Sequence, residues 1–155
     1  MPQELLKVLL IEHDPGFARY VGEMLGQARD LAAEVRPAAD LRSGLSELQA
    51  NTFDAVLLDI CVPDGAGLAN SLLLKAQAPH LPIIAAGDAD DEILALEAVH
   101  AGAQDYLVKS QLTPAWLERS LRYAIERHRM DRALLEAEEK YHGVFDHLVE
   151  GIFQT

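Results

Sequence analysis

The chain has 155 residues, half of them hydrophobic, and a formal net charge of −12, which fits one domain with an extension and excludes a disordered tail. So acidic a chain, with a pI of about 4.8, repels nucleic acid and anionic membranes, so neither is an expected partner, and no apolar run approaches the roughly 20 residues that span a bilayer. The lone cysteine, Cys61, excludes an internal disulfide framework, and with the polar start at Met1–Glu4 it points to the cytoplasm.

Short apolar runs alternate with amphipathic segments along the chain. Leu5–Ile11 reads as a strand, and Asp14-Pro15 as the N-cap and first-turn proline of a helix bearing Phe17, Val21, Met24 and Leu25 on one face. Glu34–Ala38 reads as a short second strand. Asp40 then caps a helix through Leu41, Leu45 and Leu48 that ends near Asn51. Ala55–Leu58 is continuously apolar and runs into Asp59, the pattern of a strand buried on both faces. Pro63-Asp64-Gly65 signals a turn before a helix through Leu68, Leu72 and Leu73. Pro82–Ala86 is a fourth strand. Asp88–Asp91 opens a helix through Ile93, Leu96 and Val99, closed by Gly102. Tyr106–Val108 is a fifth strand, and Thr113-Pro114 starts a long last helix.

This rhythm predicts an α/β fold: a flavodoxin-like, doubly wound, five-stranded parallel sheet with an extended C-terminal helix. Ligands of such sheets bind at the carboxyl ends of the strands. Those ends carry Glu12-His13-Asp14, Asp59, Ala86-Gly87-Asp88 and Lys109. An acid at the end of a buried strand, near other acids and a lysine, suits phosphoryl transfer to a carboxylate. Asp59 would be the nucleophile, a divalent cation would neutralise incoming oxygens, and Lys109 would pair with the phosphoryl group.

The segments VLLIEHDPGFARYV, FDAVLLDICVPDGAGL and EAVHAGAQDYLVKSQL together resemble the response-regulator receiver family over roughly residues 5–127. The resemblance implies that Asp59 is the phospho-acceptor, that Lys109 is the family's site lysine and that Glu12 is the first of its acidic pair. It also implies Mg2+ at Glu12 and Asp59, and Tyr106 as the aromatic residue whose rotamer reports activation. Two positions depart from the family. His13 stands where the metal-contacting acid is expected, and reads as a lost ligand. Asp14 next door faces away and is claimed by the helix cap. Gly87 stands where the family has a threonine or serine, so the switch hydroxyl is missing. These departures imply weak magnesium binding and impaired switching, with His13, when protonated, supplying positive charge in place of the metal.

Two readings follow. One is a signalling receiver phosphorylated on Asp59 by a histidine kinase or phosphotransfer protein. The other is a pseudo-receiver acting as a phosphorylation-independent dimerisation or docking module. A haloacid-dehalogenase-type hydrolase would need a second acid two residues after Asp59, and Cys61 cannot serve. The domain reading is a receiver over 1–127, a linking helix over 128–142 and the start of a second domain over 143–155. The tail AEEKYHGVFDHLVEGIFQT resembles the opening of a PAS sensor domain, which implies a downstream PAS or output domain in a longer chain. Leu134, Glu138, Tyr141, Phe145 and Leu148 form a short coiled-coil-like seam for weak homodimers. His80, His100, His128, His142 and His147 read as surface residues. Arg119, Arg122, Arg127, Arg129 and Arg132 read as a solvated face paired with glutamates.

Overall fold

The computed structural model describes residues 5–28, 31–60, 69–88 and 92–138, together with the helical backbone onward to Phe153. Strands β1 (Leu5–Ile11), β2 (Ala32–Ala38), β3 (Ala55–Asp59), β4 (Ile83–Gly87) and β5 (Asp105–Val108) alternate with helices α1 (Pro15–Gly26), α2 (Leu41–Ala50), α3 (Ala69–Gln77), α4 (Glu92–His100) and α5 (Pro114–Phe153). All pairings are parallel and the strand order is β2-β1-β3-β4-β5. The chain order therefore reverses between β1 and β3, the switch point where such sheets open a crevice.

Side-chain alternation sorts the sheet into two faces. Leu6, Val8 and Leu10 of β1 join Ala55, Leu57, Ile84 and Leu107 under α1 and α5, where Val21, Met24, Leu117 and Leu121 close the layer. Leu9, Ile11, Val56, Leu58 and Ile83 point the other way, toward α2 and α3. A third cluster of Ile60, Ala85, Ala98, Ala103, Tyr106 and Val108 lies under α4. Each fully buried leucine or isoleucine contributes about 1.5–3 kcal/mol, which fixes the strand register.

Local signals set the boundaries. The Asp14 side chain accepts from Gly16 N at 2.9 Å, and Asp40 accepts from Ser43 N at 2.7 Å, so both aspartates are N-caps. Thr113 Oγ1 accepts from Trp116 N at 3.1 Å and starts α5. Gly102 takes φ 101 and its N–H caps Val99 O after α4, a left-handed conformation that favours glycine. β2 begins two residues earlier than the alternation in the sequence suggests, because Ala32 and Ala33 pair with Leu5 and Leu6. Its Pro37 is tolerated on an edge strand.

Three expectations change. Leu72 and Leu73 are exposed, and the inward face of α3 is Asn70, Ser71 and Leu74. Ile93, Leu96 and Val99 of α4 are also exposed, and Ala98 alone among its residues is buried. His128 is half-buried rather than a surface residue, and burial holds its pKa below the ordinary histidine value, with Lys75 and Arg132 acting the same way. α5 is continuous for 40 residues. Cys61 and the Pro63-Asp64-Gly65 turn lie outside the described residues, as do the side chains of the seam beyond Glu138.

Candidate functional site

Four residues meet at the carboxyl ends of β1, β3 and β5. Asp59 is the last residue of β3 and is 1% exposed, and Glu12, directly after β1, is 3% exposed. The sheet brings them together because β3 lies beside β1, with Leu58 opposite Ile11. Lys109 follows β5 and reaches back across the strand ends. Its Nζ lies 2.7 Å from Glu12 Oε2 and 3.3 Å from Asp59 Oδ2. The Glu12 contact is ionic and lies outside good hydrogen-bond alignment. Below the ammonium sits the Phe17 ring, 4.8 Å from its centroid, a contact that sequence reading missed although Phe17 lies within the first motif.

His13 closes the fourth side. Its Nδ1 is 2.7 Å from Asp59 Oδ2 and 3.5 Å from Glu12 Oε1. Against an ionised Asp59, Nδ1 must carry the proton, because a carboxylate only accepts. Glu12 Oε1 also accepts from Asp14 N at 3.1 Å. Asp14 itself is committed to Gly16, so it does not replace the acid missing at His13.

Burial raises the Glu12 pKa. The Lys109 contact opposes that shift, while Asp59 adds to it. Burial alone would lower the Lys109 pKa, but the Glu12 and Asp59 carboxylates outweigh it and the net shift is upward. The ammonium is therefore firmly charged, and its charge is shared between two buried acids.

Gly87 and Tyr106 form a separate arrangement on the α4 side of the same strand ends. Ala85 pairs with Tyr106 and Gly87 with Val108 across β4–β5, so Tyr106 and Gly87 are diagonal neighbours on one face. Tyr106 is 8% exposed. A Cβ built on Gly87 would collide with Tyr106 Oη, and would lie 3.2 Å from Tyr106 Cζ and 3.1 Å from Ile60 Cδ1. The Tyr106 hydroxyl thus fills the space that a side chain at position 87 would need.

One donor atom from each of Glu12, His13 and Asp59 lies within 4.8 Å of the others. Receiver domains bind Mg2+ at acidic residues, and two carboxylates are present. Magnesium, however, demands oxygen ligands in near-octahedral array, and the third donor here is a nitrogen. The residues present therefore fit magnesium poorly.

Residues 8–121 match the model of the family described as the response regulator receiver domain. The swarming motility regulation protein RssB of Serratia marcescens is 31% identical over 118 residues, covering 74% of this chain and 51% of that protein. The KDP operon transcriptional regulatory protein KdpE of Escherichia coli (strain K12) is 30% identical over 126 residues, 80% of this chain and 53% of that one. A CheY-like response regulator receiver domain protein from Methanospirillum hungatei JF-1 shares the fold, with a TM-score of 0.71 at 20% identity over 83% of this chain and 99% of that one. The chain spans about half the length of the curated relatives it matches. Among the described residues, no helix is long and apolar enough to cross a membrane. With the parallel five-stranded sheet and the acid–lysine cluster at its strand ends, these matches establish that the chain belongs to the response regulator receiver domain family of two-component signalling.

Proposed function

We propose that the chain accepts a phosphoryl group on Asp59 from the phosphohistidine of a histidine kinase or phosphotransfer protein, and relays the change through α5 to a downstream domain. The observation that carries this reading is the buried Asp59 carboxylate at the switch point, with Lys109 Nζ 3.3 Å away. An Asp59 oxygen attacks phosphorus, the P–N bond breaks, and the departing imidazole keeps the electron pair and takes up a proton. Lys109 turns from the carboxylate to the phosphoryl oxygens. Such transfer needs mainly positioning and charge neutralisation from the protein. With magnesium poorly accommodated, the neutralising charge falls to Lys109 and, when protonated, His13, and transfer is expected to be slow.

The downstream element of this proposal is a PAS-type domain beginning near residue 143, after a linking helix over 128–142. Exposed Leu134, at 62%, supports weak self-association along that helix. A cytoplasmic location belongs to the same reading. The second reading, a docking or dimerisation module that works without phosphate, is favoured by one observation: Tyr106 already fills the space beside Gly87.

Intact-mass measurement after incubation with acetyl phosphate tests the first reading, with Asp59→Ala as the control. Amide NMR shifts with beryllofluoride, an aspartyl-phosphate mimic, test it independently. A phosphoryl adduct and shifts that both vanish in Asp59→Ala are expected. No adduct and no shift would leave the docking module.

A further inference from the structure

The three donors at the strand ends form a mixed nitrogen–oxygen set, whereas the acidic site of the family is all oxygen. Glu12 and Asp59 side chains are 1% and 0% exposed, and the His13 ring is 44% exposed. Two fixed carboxylates thus face one imidazole that is open to water on its far side. The Glu12 carboxylate divides its work: Oε2 meets Lys109, while Oε1 accepts from Asp14 N at 3.1 Å and faces the His13 Nδ1. A cation held by Oε1, Nδ1 and Oδ2 would leave the Lys109–Glu12 ion pair intact and would share Asp59 Oδ2 with Lys109 Nζ, 3.3 Å away.

The two spacings that involve His13 suit small divalent ions, and the two carboxylate donors lie within 4.8 Å of each other. Bonds of about 2.0–2.1 Å, at angles between tetrahedral and octahedral, hold neighbouring donors about 2.9–3.4 Å apart. The observed Nδ1–Oδ2 and Nδ1–Oε1 separations are 2.7 and 3.5 Å. Shifts of a few tenths of an ångström, mostly by the exposed imidazole, bring both into range. On coordination through Nδ1 the ring proton moves to Nε2, where solvent can accept it. Solvent would fill the remaining coordination positions.

We infer that Glu12, His13 and Asp59 form a site for a borderline first-row divalent cation of the Zn2+ or Co2+ class, in preference to Mg2+. Imidazole is a favourable ligand for such metals and a poor one for magnesium. His13 is then a working ligand that changes which metal the site takes. The inference shares its site with the phospho-acceptor reading but is tested without any phosphoryl donor, so the two fail separately.

The test is calorimetric titration of the protein with Co2+, Zn2+ and Mg2+, together with the visible spectrum of the Co2+ form. A Cys61→Ser background removes the one thiol. The expected dissociation constant for Co2+ or Zn2+ is at least about tenfold below that for Mg2+. His13→Ala should abolish this binding, and His13→Asp should reverse the preference toward Mg2+. His13→Asp also guards against a folding failure in His13→Ala, because gained Mg2+ affinity requires a folded site. Mg2+ preferred by the unmodified site, borderline-metal binding that survives His13→Ala, or no binding of any of the three would each overturn the inference.

Discussion

Placing a methyl group on Gly87 should displace Tyr106. The added Cβ meets the Tyr106 hydroxyl head-on and lies 3.2 Å from its Cζ and 3.1 Å from Ile60 Cδ1. Overpacking of this kind costs about 1–3 kcal/mol. Gly87 lies in a strand with no positive φ, so alanine recovers about 0.5–1 kcal/mol through the unfolded chain. The net expectation for Gly87→Ala is a loss of about 1–2 kcal/mol, or about 3–6 °C in Tm. Two routes relieve the clash. Either the strand gives way, or Tyr106 swings outward and forfeits about 2 kcal/mol of ring burial. Trp116, the single tryptophan, packs against the Tyr106 cluster, so its fluorescence separates the routes: a shift marks departure of the ring. The decisive comparison is a double-mutant cycle with Tyr106→Ala, where the cost of Gly87→Ala should vanish. An unchanged cost in that background, or a stabilising Gly87→Ala, would refute the account.

Glu12 should titrate above the ordinary carboxylate range, moving down in Asp59→Asn and further up in Lys109→Met, as followed by carboxyl-carbon NMR; an unmoved Glu12 would contradict the coupling seen at the site. Lys109→Met should cost about 3 kcal/mol at neutral pH, because it strands two buried carboxylates. That loss should shrink as pH falls and the folded state takes up protons that the unfolded chain does not yet bind. His128 has a depressed folded pKa, so its contribution to stability is present above about 6.5 and is lost as pH falls through the folded value. A melting series in which His128→Gln keeps the same slope below that pH would rule this out. Leu96→Lys should change stability by less than about 0.5 kcal/mol in urea denaturation, because Leu96 is 59% exposed.

What could be read in the sequence was whatever local chemistry or strand order decides. The β1 boundaries and the Asp14 and Asp40 caps follow from runs and cap residues. The meeting of Glu12, Asp59 and Lys109 follows from the rule that parallel strands gather their carboxyl ends. The faces of α3 and α4 were not legible by the same means. Glu-Ile-Leu-Ala-Leu-Glu-Ala-Val-His is apolar nearly all round, so its periodicity has no phase, and close packing selected the small Ala98 for the inside. The Tyr106–Gly87 contact depends on the β4–β5 register, which no local pattern specifies. His13 could be flagged as a departure, but its contact with Asp59 required the geometry of the strand ends.

The site and the relay can be separated on these grounds, and that leads to a last prediction. In the proposed phosphorylation, a phosphoryl group on Asp59 would act first on Lys109, whose Nζ lies 2.7 Å from Glu12 and 3.3 Å from Asp59 directly after β5. Lys109 opens the single turn Lys109–Gln111, and Leu112 after it is buried in the layer shared by α1 and α5. A pull on Lys109 therefore reaches Leu112, packed in the layer beneath α5, within three residues, and reaches α1 through the Phe17 ring beneath the ammonium. Among the described residues the α4 side offers no such handle, because Gly87 has no side chain to draw inward and Tyr106 already occupies the adjoining space. A ligand shifts an equilibrium only through contacts that differ between the two states. Beryllofluoride shifts in amide NMR should therefore concentrate in Phe17 and residues 109–125, and stay small across α4. Large shifts in Leu94, Ala95 and Ala98, equal to those around Leu112, would show that the packed Tyr106–Gly87 contact gives way after all, and that the relay runs through it.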